Sequence, residues 1–235
     1  MSPADPNVAR VEVVAAALGD LCAELVFVGG CAAGLLIDTP SAPPTRVTYD
    51  VDLIAEVAAL SAYYLLEKRF AERGFAKDMT EGAPICRWRV QDVEVDLMPT
   101  DESILGFSNR WYPAAVASAS SIALPGGLRI NLISAPAFLA TKFEAFDTRG
   151  RSDVLISHDL EDIVNVVDGR AAIVEEVAAA ESGLRAYLAA KFGELTRNPD
   201  FFNALPGLVA YDDLYPSRIQ TVRNRSLAIA GLENP

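Results

Sequence analysis

Hydrophobic residues recur with a helical period at the start of the chain and then with the spacing of a strand. Between Val8 and Leu25, apolar residues return every three or four positions, which predicts an amphipathic helix. The run LVFV that follows is apolar and rich in β-branched residues, and Gly29 and Gly30 end it. Helix-forming residues resume in CAAGLLI. This order predicts a strand, a tight turn and a helix.

A proline-rich loop and a second strand come next. Asp38–Thr45 holds three prolines in eight residues, which excludes helix and strand and predicts a loop. Beyond it, RVTYDVDLIAEV alternates apolar with polar residues, and this period of two predicts a half-buried strand. The apolar positions of that strand are Val47, Tyr49, Val51 and Leu53.

The segment from residue 60 to residue 133 carries one more helix and two hairpin signals. A helix is predicted from about Leu60 to Arg73, with Gly74 as its end signal. The runs ICRWRV and VEVDLMP flank Gln91 and Asp92, which predicts a hairpin. Residues 101–135 look irregular, except that LPGGLRINLIS predicts a further hairpin around its two glycines.

From Pro136 onward the pattern is helical almost throughout. APAFLATKFEAF, HDLEDIVNVVDG and AAIVEEVAAAESGLRAYLAAKFGEL each carry the 3.6-residue period, and Ser134, Ser157 and Gly169 are plausible caps. We therefore predict an α+β fold of two domains. Residues 1–134 would form a mixed sheet with flanking helices, and residues 135–235 a helical C-terminal domain, with the active cleft between them.

Composition and charge exclude several classes of protein. Of 235 residues, 51% are hydrophobic and 22% charged, which is typical of a globular chain and excludes a disordered or fibrous one. Twenty Lys and Arg against 32 Asp and Glu give a net charge of -12, which disfavours broad binding to a phosphate backbone. With no run of 18 apolar residues and no secretory-type start, we expect a cytoplasmic protein without a membrane partner.

Three cysteines lie far apart in the sequence. Cys22, Cys31 and Cys86 are odd in number and show no Cys-x-x-Cys spacing. This pattern supports neither a disulfide framework nor a zinc site. We expect small buried side chains at these positions.

Three carboxylates are candidates for a metal site. Asp50 and Asp52 lie two apart on a predicted strand and so project from one face. Asp96 is an acid among apolar residues on a later predicted strand. If the two strands are neighbours, the three carboxylates converge, and their mutual repulsion calls for a cation. Hard oxygen ligands favour Mg²⁺ or Mn²⁺, which suits phosphoryl or nucleotidyl transfer.

Each of these features also has a simpler interpretation. Acids are frequent in this chain, so a spaced pair such as Asp50 and Asp52 recurs by chance. Gly29 and Gly30 would present backbone N–H groups to a phosphate at a helix N-terminus. They would equally serve as an ordinary strand-to-helix turn.

The second half holds candidate phosphate-binding cations. Lys142 and Arg149 are seven apart on a predicted helix, so both lie on one face and can reach the phosphates of a nucleoside triphosphate. Asp159 and Asp162 lie three apart on the next helix and can orient Lys142 or Arg151, or position the substrate. Alternatively, these acids only complement the dipole of that helix.

A basic run near the end of the chain leaves two interpretations open. Arg218, Arg223 and Arg225 in PSRIQTVRNRS can guide an RNA end, or they can pair with the acidic helix VEEVAAAE.

The order of these motifs resembles a known superfamily. VFVGGCAAGLLI, TYDVDLI and VEVDLMP are similar to the glycine turn, Asp-x-Asp strand and third acid of the DNA polymerase beta-type nucleotidyltransferases. APAFLATKFEAFDTRGRSDVLISHDLEDIVNVVDGR resembles the second half of the AbiEii family, nucleotidyltransferase-like toxins of abortive-infection toxin-antitoxin systems. The resemblance spans roughly Val26 to Arg170.

The resemblance implies a role for each matching residue. Asp50 and Asp52 correspond to the metal ligands, with Asp52 bridging two ions, and Asp96 corresponds to the acid that helps to deprotonate the incoming hydroxyl. Gly29, Gly30 and Cys31 match the turn that cradles the triphosphate. Lys142 is the candidate for neutralising the phosphates.

We therefore expect a magnesium-dependent nucleotidyltransferase that moves a nucleoside monophosphate from a nucleoside triphosphate to a hydroxyl. By resemblance the acceptor would be a tRNA end, and the chain would be a toxin with a cognate antitoxin. The same chemistry on a small molecule or a protein is one alternative. A module that binds nucleotides without turnover is another.

Overall fold

The structure, a computed structural model, describes residues 5–39, 45–148 and 153–233. It is a mixed α/β protein, as the periodicity predicted. The strands are β1 (Leu25–Val28), β2 (Asp50–Ala55), β3 (Ala76–Lys77), β4 (Arg87–Val90), β5 (Val93–Pro99), β6 (Ser120–Ala123) and β7 (Arg129–Leu132). The α-helices are α1 (Pro6–Leu18), α2 (Gly29–Leu36), α3 (Leu60–Glu72), α4 (Glu102–Leu105), α5 (Tyr112–Ala117), α6 (Ala135–Thr148), α7 (His158–Gly169), α8 (Ile173–Ala179), α9 (Ser182–Arg197), α10 (Pro199–Leu208) and α11 (Tyr215–Ala230). Two 3₁₀ helices span Gly19–Ala23 and Gly231–Glu233.

The seven strands form one mixed sheet in the order β3-β4-β5-β2-β1-β7-β6. β2 runs parallel to β5 and β1 parallel to β7, while the other neighbouring pairs are antiparallel. The hairpin predicted around Gln91 and Asp92 is confirmed as β4–β5, and Gln91 adopts a φ of 50° there. The hairpin predicted around Gly126 and Gly127 is confirmed as β6–β7.

The chain divides into two compact units. One, here called the sheet unit, comprises Ser2–Leu35 and Arg46–Ser134. The other, here called the helical unit, comprises Leu36–Thr45 and Ala135–Pro235.

The sheet unit has its core at the central strands. β1 is buried along its whole length because it lies between β2 and β7. α1 contacts both β2 and β5 through an apolar face, and Tyr63 of α3 donates a hydrogen bond from its hydroxyl to the carbonyl of Leu97, at 2.8 Å. The fully buried side chains of this core include Val14, Leu18, Phe27, Leu53, Phe70 and Val95.

The helical unit has a core of aromatic and β-branched side chains. Phe143 of α6 and Phe192 of α9 meet edge to face, with ring centroids 5.1 Å apart. The predicted cap Ser157 is confirmed, since its hydroxyl accepts a hydrogen bond from the N–H of Leu160 at 3.2 Å. Gly169, also predicted as a cap, is instead the last residue of α7. A Cβ there would lie 2.7 Å from Ile37 Cγ2, so close packing requires glycine.

The second predicted strand is shorter than the alternation suggested. It begins at Asp50, and the preceding residues reverse the predicted pattern, because Thr48 is buried while Val47 and Tyr49 are exposed. Thr48 is held by Asn7, whose side-chain oxygen accepts the N–H of Thr48 at 2.9 Å. A specific hydrogen bond therefore decides which side of this segment is buried.

Helix lengths also differ from the periodicity. The helix predicted over Val8–Leu25 ends at Leu18, because Gly19 adopts a φ of 58° and a 3₁₀ turn follows. The long pattern from residue 171 to residue 195 is divided into α8 and α9 by Glu181, whose carboxylate caps α9. The short helices α4 and α5 lie in the segment expected to be irregular.

Candidate functional site

The three predicted acids of the sheet unit converge. β2 and β5 pair in parallel so that Asp52 lies opposite Asp96, and Asp50 lies opposite Glu94. Residues two apart on a strand share a face, so all four carboxylates project from the same face. One oxygen from each of Asp50, Asp52 and Asp96 lies within 4.8 Å of the others. The structure thus satisfies the condition on which the sequence prediction depended, namely that the two strands be neighbours.

The glycine turn lies directly against this cluster. Val28, the last residue of β1, pairs with Asp52. Gly29 follows it with a φ of 70°, and a Cβ at this position would lie 1.7 Å from Oδ2 of Asp52. α2 begins at Gly29, so the first N–H groups of this helix, which have no partner within the helix, start beside the Asp52 carboxylate. Gly30 is buried in the same turn.

Cys31 connects the turn to the acidic strand through its side chain. Its thiol donates a hydrogen bond to the backbone carbonyl of Asp50 and lies 2.9 Å from the hydroxyl of Thr48. The side chain is buried, and burial raises the pKa of Cys31 to about 12. Cys31 therefore positions Asp50, and any contact with a phosphate would come from its backbone N–H.

Arg87 is a site residue that the sequence analysis missed. Its Nε and Nη2 donate to Oδ1 and Oδ2 of Asp96, both at 2.8 Å, which is the bidentate geometry of a strong Arg–carboxylate pair. Nη1 donates to Glu94 at 2.7 Å, and Nη2 lies 3.4 Å from Oδ2 of Asp50. The β4–β5 hairpin pairs Arg87 with Asp96 directly. Residues at equal distances on either side of a two-residue turn pair with each other, so the predicted turn at Gln91 and Asp92 was enough to predict that Arg87 pairs with Asp96.

The electrostatics of the cluster leave it strongly acidic. Four carboxylates, from Asp50, Asp52, Glu94 and Asp96, share a sheet face with two guanidinium groups, those of Arg87 and Arg89, so negative charges outnumber positive ones. The hydrogen bond and charge of Asp96, with the charges of Glu94 and Asp50, outweigh burial and raise the pKa of Arg87. Several close carboxylates repel one another, and hard oxygen donors are the ligands that Mg²⁺ and Mn²⁺ prefer. The donor set of Asp50, Asp52 and Asp96 therefore fits a divalent cation.

The predicted cation and acids of the helical unit also meet one another. Lys142 Nζ lies 3.0 Å from Oδ1 of Asp159 and 2.6 Å from Oδ2 of Asp162. Burial acts to lower the pKa of Lys142, but the charges of Asp162 and Asp159 outweigh it, and the pKa is raised. The lysine is buried and Asp162 is 1% exposed, so the pair joins α6 to α7 inside the unit. Arg149 and Arg151 lie outside the described residues.

The basic run of α11 is engaged within the helical unit. Arg218 is 4% exposed, and its guanidinium contacts Asp168 at 2.7 Å and Asp212 at 2.8 Å. Arg225 donates to the carbonyls of Val167 and Asp168 at the end of α7. The groups that these two residues contact lie on α7 and in the α10–α11 connection, and not on the helix VEEVAAAE named in one of the two interpretations left open. Arg223 lies over the ring of Phe202, at 4.8 Å.

A groove of about 860 Å³ opens elsewhere on the sheet unit. It lies beyond the carboxyl ends of β2 and β5, near Glu56 and Thr100, whereas Asp50 begins β2. Its lining includes Asp101, Glu102 and Arg110. The volume is that of a small-molecule pocket, but the acidic trio is not among its lining residues.

Comparisons with known proteins add little to this geometry. No family model matches the chain, and no curated protein matches it. Among solved structures, the chain is similar to that entitled "Crystal structure of JHP933 from Helicobacter pylori", with a TM-score of 0.49 and 12% sequence identity. The match covers 99% of this chain and 94% of that one. Within the described ranges, no helix combines the length and apolar character that crossing a bilayer requires.

Proposed function

We propose that this chain is an AbiEii-like nucleotidyltransferase of the DNA polymerase beta type. It transfers a nucleoside monophosphate from a nucleoside triphosphate to a hydroxyl group and releases pyrophosphate. The observation that carries the proposal is the convergence of Asp50, Asp52 and Asp96 beside the turn at Gly29. Both the order of these motifs in the sequence and their meeting on one sheet face support it.

Asp50, Asp52 and Asp96 would hold the divalent cation. When bound, Mg²⁺ or Mn²⁺ supplies charge neutralisation at the transferring phosphoryl group and its leaving oxygen. The acceptor hydroxyl oxygen attacks the α-phosphorus, and the bond from that phosphorus to the oxygen bridging to the β-phosphorus breaks. Pyrophosphate leaves, and a carboxylate oxygen of Asp96 accepts the proton of the hydroxyl.

The triphosphate would lie along the glycine turn. Gly29 and Gly30 open α2, whose first N–H groups and positive dipole end favour a phosphate. Gly29 carries no side chain and the Asp52 carboxylate occupies the space that one would take, so this acid lies directly against the start of α2. Cys31 contributes by fixing the start of the acidic strand.

The candidate phosphate-binding residues that follow residue 134 have a narrower role in this proposal. Asp159 and Asp162 neutralise Lys142, and these ion pairs hold α6 against α7. The main role of Lys142 is therefore structural. A contact between its ammonium group and a phosphate would compete with Asp159 and Asp162 for the same positive charge. Arg149 and Arg151 remain proposed phosphate contacts.

The acceptor and the biological role follow from the resemblance alone. We assign a tRNA end as acceptor and a toxin function held in check by a cognate antitoxin. The net charge of -12 limits the RNA footprint to a narrow contact at that end.

The test is a labelling experiment. The protein is incubated with each α-labelled nucleoside triphosphate, Mg²⁺ and, in separate reactions, total tRNA, cell protein and hydroxyl-bearing antibiotics. We expect label on tRNA with the wild-type protein and none with Asp52→Asn. Label on a drug or on protein, with none on RNA, would retain the chemistry and reject the toxin assignment.

One observation favours a second candidate, a module that binds nucleotides without turnover. Both oxygens of Asp96 are engaged by Arg87, so the proposed proton acceptor is occupied. Calorimetric binding of a triphosphate, without pyrophosphate release across all these acceptors, would support this candidate over the enzyme.

A further inference from the structure

Arg87 contacts two of the three carboxylates that form the proposed metal site. Its guanidinium reaches three carboxylates at once, and two of them belong to the acidic trio. Asp96 is its main partner, through two hydrogen bonds of 2.8 Å, and Asp50 is the weakest, at 3.4 Å. The arginine side chain is 19% exposed, so these interactions are only partly screened by solvent.

The third partner of Arg87 lies outside the trio. Glu94 accepts from Nη1 at 2.7 Å and sits opposite Asp50 in the sheet register. A guanidinium that releases Asp50 and Asp96 can therefore keep one carboxylate. This arrangement offers Arg87 a resting place beside the site, with no need to move into solvent.

We infer that Arg87 is a built-in counter-ion that competes with the divalent cation for Asp96 and Asp50, and that it thereby sets the affinity of the site for metal. This inference rests on the proposed function, since it presumes that the trio binds a divalent cation. Without metal, Arg87 offsets the repulsion among the acids. With metal, its positive charge next to a divalent cation is repulsive, so binding is favoured by its withdrawal toward Glu94.

The next arginine on the same strand provides a matched control. Arg89 lies two residues along β4 and so projects from the same face. It also bonds Glu94, at 2.6 Å, and its other partner is Asp78 at 2.9 Å. No ion pair joins it to Asp50 or Asp96 among the described contacts. Replacing Arg89 removes an equal charge from the same face without uncovering the trio.

The experiment is a titration with Mn²⁺ followed by calorimetry on wild type, Arg87→Gln, Arg87→Lys and Arg89→Gln. We expect Arg87→Gln to bind Mn²⁺ about tenfold more tightly than wild type, the fold-change that corresponds to removing one competing charge-assisted hydrogen bond. Arg87→Lys keeps the charge without the bidentate geometry and should fall between them. Arg89→Gln should bind as wild type does.

Thermal unfolding of the same proteins supplies a second readout. In EDTA, Arg87→Gln should melt below wild type because its acids are uncompensated, and saturating Mn²⁺ should raise its melting temperature more than that of wild type. If Arg87→Gln binds Mn²⁺ no more tightly than wild type does, the inference about Arg87 is overturned and the proposed metal site is not. Absence of Mn²⁺ binding in both proteins overturns the metal site of the proposed function as well.

Discussion

The carboxylate of Asp52 fills the space where a side chain of Gly29 would lie. A Cβ on Gly29 would come within 1.7 Å of Oδ2 of Asp52. The relationship follows from the sheet register, because Val28 pairs with Asp52 and Gly29 is the next residue. The position of the Asp52 carboxylate therefore depends on glycine at residue 29.

Gly29→Ala should therefore disturb the site more than an ordinary glycine substitution. The positive φ alone costs about 1–2 kcal/mol when a Cβ is added. At Gly29 the added methyl must also displace Asp52, so Mn²⁺ binding and activity should be lost. Calorimetry and thermal unfolding measure both effects.

Gly74→Ala is the control for backbone strain. Gly74 has a φ of 84°, and apart from its two chain neighbours no described residue comes within 4 Å of its Cβ position. This variant should lose similar stability from strain and retain metal binding. Equal Mn²⁺ affinity of Gly29→Ala and Gly74→Ala would show that the close approach of Gly29 to Asp52 does not affect metal binding.

Asp52→Asn should abolish activity and leave the fold intact. The substitution removes one proposed metal ligand and one negative charge from a crowded acidic face. Turnover should fall by several orders of magnitude, while the free energy of unfolding without metal should be unchanged or higher. Pyrophosphate release and chemical denaturation measure the two quantities. Retained turnover would reject Asp52 as a ligand.

Lys142→Met should destabilise the helical unit strongly. It leaves Asp162, which is 1% exposed, as a buried charge without its lysine, and breaking such a pair costs about 3–5 kcal/mol. The double variant Lys142→Met, Asp162→Leu should recover most of that loss, because neither charge is then buried alone. Chemical denaturation of the three proteins tests this. Full activity in the double variant would exclude Lys142 as a phosphate contact.

The pH dependence of stability should reflect the same lysine. Because the folded-state pKa of Lys142 is raised, its contribution is complete below the unfolded-state pKa of about 10.4 and is lost as pH rises through the folded-state pKa. Wild type should therefore lose more stability above about pH 10.4 than the double variant. Parallel curves for the two proteins would contradict this assignment.

The three cysteines should be inert in the folded protein. All are free and buried, and burial raises the pKa of Cys22 to about 11 and the pKa values of Cys31 and Cys86 to about 12. The nucleophile is the thiolate, which is scarce at pH 8.5 in the folded state. Iodoacetamide should modify none of them natively and all of them in guanidinium, as mass spectrometry would show. Rapid alkylation of Cys31 in the native protein would contradict the assignment of Cys31 as a buried residue that positions Asp50.

Much of the acidic site could be predicted from local pattern. Alternation alone placed Asp50 and Asp52 on one face, and the run VEVDLMP placed Asp96 on a strand. What alternation does not give is which strands are neighbours. The pairing of β2 with β5 depends on long-range packing. From the sequence we could predict only that the three carboxylates converge if these two strands are neighbours.

Other features depended on contacts between distant residues. Thr48 is buried because Asn7, 41 positions away, binds it, and no local period signals such a bond. Arg218 meets Asp168 across 50 positions. Arg87, by contrast, was within reach, since a hairpin fixes its partners once the turn is located.

The central claim is that Asp50, Asp52 and Asp96 together hold a divalent cation beside Gly29. The most direct measurement is a crystal of the protein soaked in Mn²⁺, with anomalous scattering used to place the metal. We predict an anomalous peak in coordination contact with an oxygen from each of the three carboxylates. A well-ordered trio without a peak, still closed by Arg87 at saturating Mn²⁺, would contradict it.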